Sequence, residues 1–428
     1  MSVDQAQQTI VQDQAKGNSA GDDVVFIARQ PIFDRVPKVF GYELLFRSSA
    51  DNAYHGGDGS IASCETISRA MNVIGLGMVT GGKKMFVNFP KKLLLEEVYA
   101  VLPRDLAVVE LLEATAVDDD VITVCRKLKA DGYTLALDDV VDPIAIRPLL
   151  QYADILKVDF LALSREQRPH MIAEFRGFTG QLLAEKVESR EDFDQAVQLG
   201  CEYVQGYFFA KPEVMSGRGV AAFEPVYLNF LRALNQPELD YDALEELIKR
   251  DVSLTYKLLR YLNSAAVGLR HKITSIKQAL ALMGEKQLRK WGSLVALTSL
   301  NRNKPAELIL MCLVRAHFCE NIAKAEDLAD EQLDLFLIGL LSAIDAVLDT
   351  PMEQVLSQMA VISDVSAVLL NYPTAHKELV QIYTLAQACE RGAWSTVTQL
   401  ATGLRLTQSE IAAMYYEAIT WADQILTI

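Results

Sequence analysis

Cysteine is scarce and scattered. Six thiols, Cys64, Cys125, Cys201, Cys312, Cys319 and Cys389, show no CxxC spacing, and five histidines show no HExxH pattern. A disulfide scaffold and a Cys/His zinc centre are therefore excluded. Positive charge is in deficit as well: 41 Lys and Arg stand against 56 Asp and Glu, a formal net charge of −15. A chain of that sign is repelled by phosphate backbones and anionic lipid, so no nucleic-acid partner is expected. An anionic ligand would need a local reversal of charge, such as a bound metal. No apolar run approaches the roughly 20 residues that cross a bilayer. Residues 1–22 are polar and Gln-rich and lack the basic start and apolar stretch of a secretion signal. They read as a disordered tail on a cytoplasmic protein with no membrane span and with reduced thiols.

What is present is apolar mass. With 428 residues, 50% of them hydrophobic, the chain is long enough for two domains with sizeable cores. Between Val24 and Lys211 short apolar runs alternate with amphipathic stretches, the rhythm of strand and helix in turn. The runs are VVFIARQPIF, VFGYELLFR, MFVNF, LAVVELL, YTLALDD, ADILKVD, QLLAEKVE and EYVQGYFF. Helices are expected at Ser60–Met78, at Asp118–Ala130 with Asp118 as cap, at Leu163–Phe175, and at Ser189–Leu199 ended by Gly200. Eight strands with helical crossovers predict an α/β, TIM-like (β/α)8 barrel. Only DRVPK separates the first two runs. That is too short for a parallel crossover, so the barrel is expected to be modified by an antiparallel first strand. After a linker in EVMSGRGVA the rhythm is helical to the end, including Ala306–Ala325, Glu331–Val347 and Ser409–Ile425. The expected organisation is a tail at 1–22, a barrel at 23–213 and an all-α domain at 214–428.

Polar residues recur where barrel strands end, which is where active sites of this architecture lie. Glu43, Asn88, Glu110, the pair Asp138 and Asp139, Lys157, Glu185 and Gln205 each close an apolar run. From Asn88 onward they are spaced by 22, 28, 19, 28 and 20 residues, about one strand-and-helix unit each, so they should converge on one rim. Five or six carboxylates beside one amide repel one another unless cations intervene. Hard divalent ions, Mg²⁺ or Mn²⁺, prefer oxygen ligands, and two ions need about this many acids. Such a pair suits in-line attack of water on phosphorus, hence phosphodiester hydrolysis. Lys157 would orient the water or offset developing charge, and Glu185 would accept a proton or complete a second metal site. Arg47, on the same strand face as Glu43, has a fork suited to a phosphate oxygen.

These residues resemble those of EAL domains, the bacterial cyclic-di-GMP phosphodiesterases. ELLFR matches the Glu-x-Leu-x-Arg signature, and FVN, ELLE, DD, KVD, AEKVE and QGY follow in the family's order from about Phe26 to Pro212. The resemblance implies hydrolysis of cyclic-di-GMP to linear pGpG. It implies a first metal on Glu43, Asn88, Glu110 and Asp138 and a second on Asp138, Asp139 and Glu185. Lys157 would position water, Gln205 and Glu188 would support the site, Gln30 and Arg47 would touch the nucleotide, and Glu113 would anchor a loop. Two departures stand out. The acid pair continues as VVDP where the family has a glycine-containing loop, and Lys186 stands where glycine is usual.

The helical half resembles an HDOD domain, through LIKRDVSLTYKLLRYLNSAAVG, KITSIKQALALMG and LFLIGLLSAIDAVL. Where the related HD phosphohydrolases carry His-Asp, this chain has Ser342 and Ala343, neither a metal ligand of that kind. His317 is then expected to pack between helices. The resemblance implies a regulatory domain that docks a signalling protein, and a homodimer paired through the barrel. Three readings stay open: a phosphodiesterase, a degenerate EAL domain that senses cyclic-di-GMP or serves as a scaffold, and, where the resemblance misleads, a metal-dependent barrel enzyme acting on another phosphoester.

Overall fold

The computed structural model describes residues 25–48, 80–112, 115, 117–140, 143–211, 225–262, 276–300, 304–326, 328–359, 361 and 363–427. The expected tail at 1–22, the helix at Ser60–Met78, the loop anchor Glu113 and the linker in EVMSGRGVA lie outside them.

Eight strands close into a barrel in sequence order: β1 (Val25–Asp34), β2 (Val39–Ser48), β3 (Lys84–Phe89), β4 (Ala107–Leu111), β5 (Thr134–Leu137), β6 (Ile155–Asp159), β7 (Gln181–Glu185) and β8 (Tyr203–Gln205). The strand β1 runs antiparallel to both its neighbours, β2 and β8, and all other pairs are parallel. The barrel crossovers include α1 (Lys91–Leu95), α2 (Asp119–Ala130), α3 (Gln167–Glu174) and α4 (Arg190–Gln198). Asp118 caps α2 by accepting from the Val121 amide at 3.1 Å, and Ser189 caps α4 by accepting from Asp192 at 3.2 Å. The helix expected from Leu163 starts only at Gln167, because Ser164 forms a turn with the side chains of Glu166 and Gln167.

Alternation along the strands sorts the barrel into layers. Ile32, Phe86, Val108, Ala136, Ile155, Leu183 and Tyr203 point inward and form a separate apolar plug. The outward side chains, such as Val87, Val109, Leu135, Leu156 and Ala184, join the main core with the helices. Two residues beyond the plug on β3 to β8 stand Asn88, Glu110, Asp138, Lys157, Glu185 and Gln205, so the period of the strand places every one of them inside.

The second half is helical: α5 (Pro225–Leu234), α6 (Tyr241–Lys249), α7 (Val252–Leu262), α8 (Ile276–Met283), α9 (Glu285–Leu300), α10 (Ala306–Ala325), α11 (Gln332–Leu341), α12 (Ile344–Leu348), α13 (Met352–Met359), α14 (Ser363–Leu369), α15 (Lys377–Glu390), α16 (Trp394–Gly403) and α17 (Gln408–Thr427). Helix α10 is its axis, buried along most of its length between α11 and α17. A Cβ at Gly339 would lie 2.4 Å from the Ala316 backbone nitrogen, so only glycine lets α11 approach α10 so closely. The single helix expected over Glu331–Val347 is two helices. It breaks at Ser342 and Ala343, where Ser342 Oγ turns back to the Gly339 carbonyl at 2.7 Å and also accepts from Arg315 Nη1 at 3.0 Å.

The antiparallel hairpin leaves the outer face of β1 and β2 to be covered by the helical half. Helices α15 and α17 pack on β1. Arg29 reaches Asp423 at 3.2 Å and stacks over the Tyr42 ring at 4.7 Å, while the Tyr42 hydroxyl donates to Glu307 at 3.0 Å. No helix of the described residues is long and apolar enough to cross a membrane.

Candidate active site

The polar layer at the strand ends gathers around one lysine. Lys157 Nζ, fully buried, lies 2.6 Å from Glu110 Oε1, 2.7 Å from Asp138 Oδ1, 2.7 Å from Glu185 Oε1 and 3.4 Å from Glu43 Oε2. Two amides orient Glu43: Asn88 Nδ2 donates to Oε1 at 2.8 Å and Gln205 Nε2 donates to Oε2 at 2.7 Å. Gln205 Nε2 also lies 3.2 Å from Gln30 Oε1, which links β1 to the ring. The backbone ladder extends past the strands to hold these residues, since the Asp138 amide donates to Leu111 O at 3.0 Å and the Val140 amide to Lys157 O at 3.0 Å.

Burial and charge set the electrostatics. Burial lowers the tendency of Lys157 to hold its proton, but the carboxylates of Glu110, Glu185, Glu43 and Asp138 outweigh it and push the ammonium well above its ordinary value. Burial pushes Glu110 well above the usual carboxylate range, Lys157 opposes it, and Glu43 and Asp138 reinforce it. Glu185 is pushed up to about 8 by burial, again against Lys157 and with Asp138 and Glu43. Glu43 goes the other way: burial would raise it, yet Lys157 and the amides of Gln205 and Asn88 hold it below its ordinary value.

Four carboxylates thus face one ammonium. Asn88 Oδ1, Glu110 Oε2, Glu185 Oε2 and Gln205 Oε1 are buried with no hydrogen-bond partner. Such orphaned oxygens are costly unless something satisfies them. Among the described residues no three His, Cys, Asp or Glu side chains converge on a common metal position in this arrangement, since the acids turn toward Lys157. The donors left over, all oxygen and mostly anionic, are nonetheless those a hard divalent cation takes.

Other expected residues lie elsewhere. Asp139 points away from Lys157 and pairs with Lys186 Nζ at 2.8 Å. Glu188 is exposed and pairs with Lys211 at 3.2 Å, outside the ring. Arg47 lies on β2, opposite Phe26 of β1, and its side chain is outside the described set, as are Val141 and Asp142 of the loop after the acid pair. Val140 of that loop is buried in the core. Gly206, next to Gln205, has φ +146, and a Cβ there would lie 2.1 Å from Val187 O, so the strand end that carries Gln205 packs flat on the segment after Glu185. His317 stacks on Trp421 with ring centroids 4.5 Å apart.

Sequence reasoning missed Asp159, whose Oδ2 lies 2.6 Å from Lys186. Its place two residues beyond Lys157 on the same strand face was the available signal. It also missed the outer contacts of Arg29 and Tyr42, each adjacent in sequence to an inward site residue.

Both halves of the chain are similar to known families. The EAL domain model matches residues 86–212 and the HDOD domain model residues 220–378. "Uncharacterized protein YuxH" of Bacillus subtilis (strain 168) is 33% identical over 411 residues, covering 94% of this chain and 99% of that protein. "Cyclic di-GMP phosphodiesterase CdgJ" of Vibrio cholerae serotype O1 is 33% identical over 403 residues, covering 94% of this chain and 93% of that protein. Among solved structures, the Bacillus subtilis YkuI protein, with an EAL domain, in complex with c-di-GMP and calcium aligns with a TM-score of 0.37 at 19% identity, over 54% of this chain and 72% of that one.

Proposed function

Because the chain belongs to the family of proteins that join an EAL domain to an HDOD domain, we propose that its barrel hydrolyses one phosphodiester bond of cyclic-di-GMP to give linear pGpG. The observation that carries this reading is the closed ring of Glu43, Asn88, Glu110, Asp138, Lys157, Glu185 and Gln205 with its surplus of unsatisfied oxygens. Glu43, Asn88, Glu110 and Asp138 would hold a divalent cation, Mg²⁺ or Mn²⁺, which supplies positive charge and Lewis acidity beside the scissile phosphorus. Lys157 offsets the negative charge that builds on the phosphoryl oxygens and holds the acids in register. Glu185 Oε2, buried and without a partner, would accept a proton from the attacking water in its ionised form. Gln205 and Asn88 keep the Glu43 carboxylate facing the site, and Gln30 and Arg47 would contact the nucleotide.

The helical half would act as the regulator. On β1 and β2 each outward contact residue is the sequence neighbour of an inward one: Arg29 of Gln30, and Tyr42 of Glu43. A movement of α10 or α17 therefore pulls on the strands that carry the site. A second reading, a non-hydrolytic cyclic-di-GMP sensor or scaffold, is favoured by one observation, that Asp139 is held by Lys186 and not in the ring.

Incubation of the purified protein with cyclic-di-GMP and Mg²⁺ or Mn²⁺, with products separated by chromatography, distinguishes the two. Formation of pGpG that disappears in Glu43→Ala supports hydrolysis. Tight binding without turnover supports the sensor, and absence of binding with metal present removes both enzyme and sensor and leaves the scaffold.

A further inference from the structure

Asp139 and Asp159 share a cation that belongs to the chain itself. Lys186 Nζ stands 2.8 Å from Asp139 Oδ1 and 2.6 Å from Asp159 Oδ2. Asp159 is fixed, because its Oδ1 accepts from the amides of Leu161 at 2.7 Å and Ala162 at 2.9 Å. The lysine is anchored at both ends, by that carboxylate and by its backbone. Lys186 has φ +54 and Asp139 φ +46, left-handed conformations that a residue with a side chain keeps only where its surroundings hold it.

We infer that Lys186 is a built-in counter-charge standing in for a second divalent ion, so that this chain binds one divalent cation, at Glu43, Asn88, Glu110 and Asp138, where the sequence pattern pointed to two. This rests on the metal-dependent reading of the barrel. A second ion held by Asp138, Asp139 and Glu185 needs an Asp139 carboxylate that the Lys186 ammonium, shared with Asp159, already neutralises. The tethered cation is also always present at high local concentration, whereas a dissolved ion must be drawn from solution. The buried ring differs in its charge count. Four carboxylates face the single ammonium of Lys157, and partnerless oxygens remain on Asn88, Glu110 and Glu185, so one more cation is wanted there. At the rim two carboxylates face one ammonium, with Lys186 and Asp139 both partly open to water, so no comparable surplus remains.

The test is a titration of the metal-free full-length protein with Mn²⁺, counting bound ions from the electron paramagnetic resonance signal of free Mn²⁺. The wild type is expected to bind one Mn²⁺ per chain. Lys186→Gly and Lys186→Met should each bind two, the second at least tenfold more tightly than any second ion in the wild type. Glycine adopts φ +54 without strain, so the first variant keeps its loop, and methionine keeps the side-chain bulk while removing the charge. Two ions per wild-type chain, or one ion in all three proteins, overturns the inference and leaves the metal-dependent reading in place. No Mn²⁺ bound by any of them overturns that reading itself.

Discussion

Replacing Lys157 with methionine removes a fully buried charge while keeping most of the side-chain volume. The ammonium lies 2.6–2.7 Å from carboxylate oxygens of Glu110, Asp138 and Glu185, and deleting one partner of a buried ion pair costs about 3–5 kcal/mol. The lower end applies here, because burial pushes Glu185 up to about 8 and raises Glu110 well above its ordinary value, so the acids left behind can take up protons once the ammonium is gone. A loss of about 3 kcal/mol lowers the melting temperature of a domain this size by about 6–12 °C. The pH dependence has a definite sign. A carboxyl whose folded pKa is raised makes the folded state bind more protons than the unfolded one. The stability it contributes is fully present below the unfolded value of 4.5 and, for Glu185, is lost as pH rises through about 8. Metal-free wild-type protein should therefore melt lower at pH 8 than at pH 5.5. The deficit of Lys157→Met should be larger at pH 8, where the remaining acids take up protons less readily. Thermal unfolding of both proteins at the two pH values, followed by circular dichroism, measures each quantity. A variant within 2 °C of the wild type at pH 8, or a deficit larger at pH 5.5, would refute the role given to Lys157.

Asn88→Ala removes an oxygen ligand and the 2.8 Å hydrogen bond that orients Glu43, so Mn²⁺ affinity should fall about 10–100-fold; calorimetric titration showing unchanged affinity would contradict the first-metal assignment. Tyr42→Phe leaves the buried Glu307 without its 3.0 Å donor and should destabilise the protein by about 1–3 kcal/mol, visible in urea unfolding, and an unchanged midpoint would show that this contact between the halves contributes nothing. Gly206→Ala forces a Cβ to 2.1 Å from Val187 O and should cost more than about 3 kcal/mol. Its melting curve should move down accordingly, and a curve superimposable on the wild type would mean the segment after Glu185 yields freely.

The strand count, the order of the barrel, its antiparallel first strand and the helical character of the second half were all written in local pattern. Apolar runs of strand length, amphipathic stretches and a five-residue gap are properties of neighbouring residues, and so was the cap Asp118. The ring was legible for the same reason. A period of two along each strand and a repeat of about one strand-and-helix unit place Asn88, Glu110, Asp138, Lys157, Glu185 and Gln205 inside at one height. Distances across the barrel were not legible, because they depend on strand tilt, closure and the rotamers of long side chains. Only the tertiary structure made Lys157 the centre of the acids, turned Asp139 out of the ring toward Lys186 and Asp159, and left Glu188 with Lys211 at the surface. It alone also laid the helical half against the outer face of β1 and β2, since a contact between Tyr42 and Glu307 spans 265 residues and leaves no periodicity in the chain. The sequence by itself therefore determined which side chains the strands present and in which direction. Which charges neutralise one another was decided by the closed barrel, because pairing is a matter of ångströms between residues far apart along the chain.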